Sequence, residues 1–194
     1  MQFEYYISKK KFSFNVFTNI GWYPSHVPLL HLGWWILSIG KVHKQKEEYD
    51  AAMDCFSSSL FIKRAKFGTT HLSIAETLHQ MASIYDDEGK IDEAQNCLAT
   101  ALSTYEKKLG DSLCTADVLE SYGAMYESNC DYLRALEYFL RAHIMKKTIL
   151  GPDHVAVSDI LYRVGKIQDR SGDTDGVLTS FKEGMCVYCC FSFR

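Results

Sequence analysis

Four stretches of this sequence lie in register under one another, 42, 41 and 42 residues apart, with no gap inside any of them. The register is set by Gly40, Ala82, Gly123 and Gly165. Four residues before these anchors stand Ile36, Leu78, Leu119 and Leu161, and one before stand Ile39, Met81, Tyr122 and Val164. Three after come His43, Tyr85, Tyr126 and Gln168. Offsets of −4, −1, 0 and +3 fall on one face of a helix. A fixed period of this length restricts a chain to stacking equivalent units, because one unit alone cannot bury its apolar face.

A turn follows each anchor, as in "DEGKID" (87–92), "SNCDYL" (128–133) and "RSGDTDG" (170–176), and a second helical pattern then begins. At +12 stand Ala52, Ala94, Ala135 and Val177, at +16 Phe56, Leu98, Phe139 and Phe181, and at +19 Ser59, Ala101, Ala142 and Gly184. Small, large, small at helical spacing is a close-packing surface, and it asks for little bulk on the facing helix, which explains Gly or Ala at the anchor. Gly68, Gly110 and Gly151 are expected to end each second helix with a left-handed backbone, and Thr70, Ser112 or Asp153 to cap the next first helix. The spacing predicts helices over 32–45, 49–66, 72–87, 91–107, 114–128, 132–148, 155–170 and 174–187.

The large apolar, Gly/Ala, aromatic, Ala, Phe, Ala set at these offsets resembles the tetratricopeptide repeat. The long period, with "LGPDH" between units, is similar to the variety in kinesin light chains and nephrocystin-3-like proteins. The resemblance covers about residues 33–186 and implies an all-α, right-handed superhelical solenoid of about four antiparallel helix pairs. The expected layout is an irregular arm over residues 1–28, a repeat array over 29–187 and a tail over 188–194. Residues 1–28 lack the repeat pattern, and the last helix runs into "MCVYCCFSFR" without a polar capping helix.

Composition narrows the function. Net charge is −3, whereas phosphate binding needs a clustered basic surface, so nucleic acid is not the expected partner. The apolar run "LLHLGWWILSI" (29–39) is about half the length of a bilayer span, and no transmembrane segment is expected. The seven cysteines read as free thiols of a reducing, cytoplasmic setting. "CVYCC" lacks a second ligand pair, so neither metal nor cofactor is expected. There is no Gly-rich phosphate loop, no HExxH and no nucleophile elbow, and His71 and His154 occupy equivalent turns where helix capping is the simpler role. The expected activity is therefore non-enzymatic.

In the family it resembles, the first helix of each pair lines the concave face. That resemblance places the groove at offsets −6, −3, +1, +4 and +5. The candidate partner-binding residues are Glu76, His79, Ser83, Asp86, Asp117, Glu120, Glu127, Asp159, Tyr162, Lys166 and Asp169. Over the last three rows these offsets hold eight carboxylates, counting Asp87, against the two cations Lys166 and Arg170. Like charges on neighbouring helices make a field that favours a basic protein or peptide. Chaperone-binding relatives clamp a carboxylate with Lys and Asn, and kinesin light chains carry paired Asn at −3 and −2; here the latter places hold His79-Gln80, Glu120-Ser121 and Tyr162-Arg163. The expectation is a protein-interaction scaffold. A regulatory or cargo-adaptor part of a larger kinesin-light-chain-like or signalling protein, or a plain spacer, is the alternative, and the uncapped ends raise self-association.

Overall fold

The structure is a computed structural model that describes residues 29–192, so the expected arm over residues 1–28 lies outside the described residues. Every regular element among the described residues is a helix. They are α1 (Leu29–Gln45), α2 (Tyr49–Phe67), α3 (Leu72–Asp87), α4 (Ile91–Leu109), α5 (Leu113–Ser128), α6 (Tyr132–Leu150), α7 (Val155–Ser171) and α8 (Thr174–Ser192). Four of the sixteen expected ends are off by two or more residues. The largest differences are α1, which begins three residues early, and α8, which continues to Ser192, so residues 188–192 of the expected tail are helical.

The contacts divide the chain into two compact units, residues 1–66 and 67–194. In the first, α1 and α2 pair through the repeat anchor. A Cβ on Gly40 would stand 2.6 Å from the Phe56 ring, and Ile36, Cys55 and Ile62 form a buried cluster with Leu32 and Ile39 against it. Burial pushes the Cys55 thiol up to about 11, with Asp54 adding to it, as suits a small apolar core residue.

In the second unit, α3 pairs with α4, α5 with α6 and α7 with α8, and α4 packs on α5 and α6 on α7. The anchor contact recurs: a Cβ on Gly123 would meet Phe139 at 2.7 Å, and one on Gly165 would meet Phe181 at 2.5 Å. The remaining row offers Ala82, and there the opposing residue is Leu98 rather than a ring. The extra methyl on one helix is balanced by a smaller side chain on the other.

A second crossing point escaped the sequence reading. Offsets −7 and +19 hold Gly33 with Ser59, Ala75 with Ala101, Ala116 with Ala142, and Ser158 with Gly184. All eight are buried. In the first row the Ser59 hydroxyl donates to the Gly33 carbonyl at 2.6 Å; in the last the Ser158 hydroxyl donates to the Gly184 carbonyl at 2.8 Å. The same bond is drawn in opposite directions, and each pair has about the same combined bulk.

The connections follow the period as well. The residue seven after each anchor has positive φ: Glu47 (62°), Gly89 (73°), Cys130 (59°) and Gly172 (83°). Gly68, Gly110 and Gly151 at the ends of the second helices also have positive φ, as the sequence predicted. The caps differ in detail. Ser112 accepts from the Thr115 amide at 3.2 Å as expected, and His71 Nδ1 accepts from Ser73 at 3.2 Å and His154 Nδ1 from Ala156 at 3.1 Å, the capping role expected of these histidines, so the N-caps there are His71 and His154 rather than Thr70 and Asp153. An imidazole one residue later reaches the same orphan amides, and the Phe67 ring, stacked 4.0 Å from His71, fixes the plane of one of them.

Candidate partner-binding groove

The first helices of the second unit lie side by side. Between α3 and α5, His79 Nε2 stands 2.7 Å from the Ser121 hydroxyl, and the Ser128 hydroxyl donates to Asp86 Oδ1 at 2.9 Å. Between α5 and α7, Arg170 donates to Glu127 Oε1 at 2.9 Å. Asp86 to Ser128 and Glu127 to Arg170 are the same pair of offsets, +4 on one helix to +5 on the next. Because the Ser121 hydroxyl donates to the Asp117 carbonyl at 3.1 Å, its oxygen accepts from His79, which sets the imidazole tautomer. With about 3.6 residues per turn, offsets −6, −3, +1, +4 and +5 span roughly one third of the helix circumference, turned away from the anchor.

The sequence candidates therefore share one surface, but they do not share one electrostatic state. Asp117 and Glu120 are both engaged by Lys146 of α6, whose Nζ lies 2.9 Å from Asp117 Oδ1 and also pairs with Glu120. The Lys146 side chain is only 12% exposed. Burial works against its ammonium, yet the bonds from Glu120 and Asp117 outweigh that and hold its pKa above the ordinary lysine value. Glu127 is engaged by Arg170. Burial raises Asp86 above the usual carboxylate range, with the Ser128 hydroxyl opposing and Asp87 adding to the rise.

The remaining candidates stay open to solvent to different extents. Asp159, Lys166 and Asp169 are exposed, and Tyr162 is 59% exposed with its ring centroid 5.8 Å from that of Phe181. Glu76 and Ser83 are half-buried, and Glu76 lies near enough to Tyr105 to help burial raise that phenol. Asp159 and Asp169 make no side-chain hydrogen bond or ion pair among the described residues. Counting Lys146, the surface holds eight carboxylates against three cations. Sequence reasoning missed Lys146 because it sits at +23 on the second helix, outside the first-helix offsets from which the groove was read; Lys63 holds the same place in the first row.

The Ser121 hydroxyl beside His79 is bonded to the Asp117 carbonyl, and among the described residues no three His, Cys, Asp or Glu side chains are grouped to hold a metal ion. Among the described residues no helix is long and apolar enough to cross a membrane.

Known proteins agree with the repeat. Residues 33–107 match the tetratricopeptide repeat family. The Arabidopsis thaliana protein KINESIN LIGHT CHAIN-RELATED 3 is 23% identical over 154 residues, covering 79% of this chain and 22% of its own length. KINESIN LIGHT CHAIN-RELATED 1 of the same plant is 21% identical over 154 residues, covering 75% of this chain and 25% of its own. The chain thus spans less than a third of the length of the curated relatives it matches. Among solved structures, BtubC (BKLC) from P. vanneervenii superposes with a TM-score of 0.79 at 17% identity, covering 88% of this chain and 68% of that one. A Rap protein complexed with Competence and Sporulation Factor superposes with a TM-score of 0.72 at 16% identity, covering 82% of this chain and 43% of that one. With one register carried through eight helices and the match over residues 33–107, the chain is a helical repeat of the tetratricopeptide type, similar to the kinesin-light-chain-related proteins.

Proposed function

We propose that this chain is a non-enzymatic, cytoplasmic interaction scaffold whose groove along α3, α5 and α7 takes an extended or helical segment rich in Lys and Arg. The observation that carries the reading is the excess of carboxylates that remains on one surface after the internal cations are counted. The Rap protein of the same fold is seen complexed with Competence and Sporulation Factor, which supports the use of such a surface for a partner. Asp159 and Asp169 are the first points of attraction, because they have no internal cation to give up. Glu76, His79, Ser83, Tyr162 and Lys166 add contacts along the same face, and Asp86, Asp117, Glu120 and Glu127 contribute once Lys146 and Arg170 yield.

An exposed ion pair is worth about 0.2–1 kcal/mol, so recognition needs several pairs together. Titrating basic, neutral and acidic peptide pools at low and at high salt tests the reading. Basic peptides should bind best, weakly above physiological ionic strength, where exposed charges are screened within about 8 Å. Reversing Asp159 and Asp169 together to Lys should lower affinity mainly through slower association. Equal binding of acidic and basic pools, or an unchanged double variant, would leave the plain spacer as the better reading.

The cargo-adaptor alternative draws on the kinesin-light-chain relatives, but the residues at −3 and −2 weaken it. His79 and Ser121 stand in those offsets and are bonded to each other rather than presented to a peptide backbone.

A further inference from the structure

The repeat register also says which residues cover one hairpin with the next, and at two helix faces those residues are uncovered. On a first helix, offsets −5 and +2 lie about 200–220° around from the anchor, on the side opposite the hairpin's own second helix. In α5 these are Val118 and Met125, in α7 Ile160 and Ile167, and none is more than 1% exposed. Residues so fully buried on that side are covered by the preceding second helix, which packs there: α4 on α5 and α6 on α7. The Tyr122 hydroxyl, donating to the Gln95 carbonyl of α4 at 3.3 Å, marks the same seam. In α1 the same offsets carry Trp35 and Val42, apolar like their counterparts, yet 51% and 50% exposed.

The complementary half of the seam is the outer face of a second helix, at offsets +13, +20 and +23. In α6 these are Leu136, His143 and Lys146; His143 is 8% exposed and the Lys146 side chain 12%. In α8 they are Leu178, Met185 and Tyr188, which are 58%, 67% and 58% exposed. Among the described residues, one exposed copy of each half of this seam therefore stands beside the two seams made within the second unit.

We propose that these two faces dock on each other between copies of this chain, α1 of one molecule seating against α8 of the next as α5 seats against α4 and α7 against α6. The partner is a second copy because the two faces are the two sides of one seam, in the same register, and both are exposed among the described residues. The contact is heterologous, so it leaves one free face of each kind at the ends of any assembly and is open to growth. This surface is separate from the groove along α3, α5 and α7, and the inference does not depend on the groove's charge.

Sedimentation velocity of the full chain over a wide concentration range, with Val42→Glu and Met185→Glu variants, tests this. Both positions are exposed, so a charge there leaves the fold intact, which circular dichroism checks. The wild type should grow in mass with concentration to species of two and more chains. Each variant alone should remain one chain, because one half of every seam is spoiled. An equimolar mixture should form a dimer and stop there, since the intact α8 face of the Val42→Glu chain meets the intact α1 face of the Met185→Glu chain. A wild type that stays one chain at the highest concentration overturns the proposal. So does growth of either variant alone, or a mixture that fails to dimerise.

Discussion

At the scale of single residues, the repeat is a set of volume agreements between offsets. Gly123 faces the Phe139 ring so closely that a Cβ would stand 2.7 Å from it. Gly123→Ala should therefore cost about 1–3 kcal/mol through overpacking. The row with Ala82 opposite Leu98 shows how the chain itself solves this, so Gly123→Ala with Phe139→Leu should recover part of that loss. Thermal melts of the two single variants and the double give the coupling, about 0.5–3 kcal/mol for side chains in contact; strictly additive losses would mean the pair does not act as one unit. The turn offset offers the opposite change. Glu47 and Cys130 hold φ of 62° and 59°, where two equivalent turns use glycine. Cys130→Gly should stabilise by about 1 kcal/mol, seen as a higher melting temperature, because a side chain in left-handed backbone is strained. Sequence spacing showed which offsets matter, but not this strain, since neither Glu nor Cys marks a left-handed position. Likewise it placed capping in the right turns and offered Thr70 and Asp153 beside His71 and His154, and it is the imidazoles that accept the amides.

At the scale of helices, the groove is governed by what α6 sends into it. Lys146 holds Asp117 and Glu120 together, so Lys146→Met leaves two carboxylates facing each other and should lower the melting temperature. If the groove takes basic partners, the same variant should bind a lysine-rich peptide more tightly than wild type, because the partner no longer displaces an internal cation. Calorimetric titration at low salt checks this, and weaker binding would make Lys146 a structural prop of the site instead. The raised folded pKa of Lys146 means that its stabilisation is fully present below about 10.4, the ordinary lysine value, and is lost as pH rises through the folded value. Asp86 has the reverse sense. Its folded pKa is raised by burial, so its charged form is a cost at neutral pH that disappears as pH falls through that raised value. Asp86→Asn should then melt higher than wild type at pH 7, and the difference should vanish below about pH 3.9, the ordinary aspartate value. A difference of the same size at both pH values would point to packing rather than charge.

At the scale of the molecule, the architecture was legible because its signal is redundant: four rows carry the same offsets, and an error in one row is corrected by the others. The candidate groove was placed by resemblance, and its offsets fall on one side of each first helix. Its charge was legible only in part. Lys146 enters from a second helix, outside the offsets from which the groove was read, and the turning of Arg170 onto Glu127 is a matter of side-chain orientation that spacing does not carry. The central claim is that the partner lies along α3, α5 and α7. Backbone amide NMR during titration with a lysine-rich peptide tests it residue by residue. Shifts should concentrate at Glu76, His79, Ser83, Asp159, Tyr162, Lys166 and Asp169, leaving outward-facing residues of the second helices such as Thr100, Leu140 and Ile144 unmoved. Shifts centred on those second-helix residues, with the first helices silent, would contradict the account.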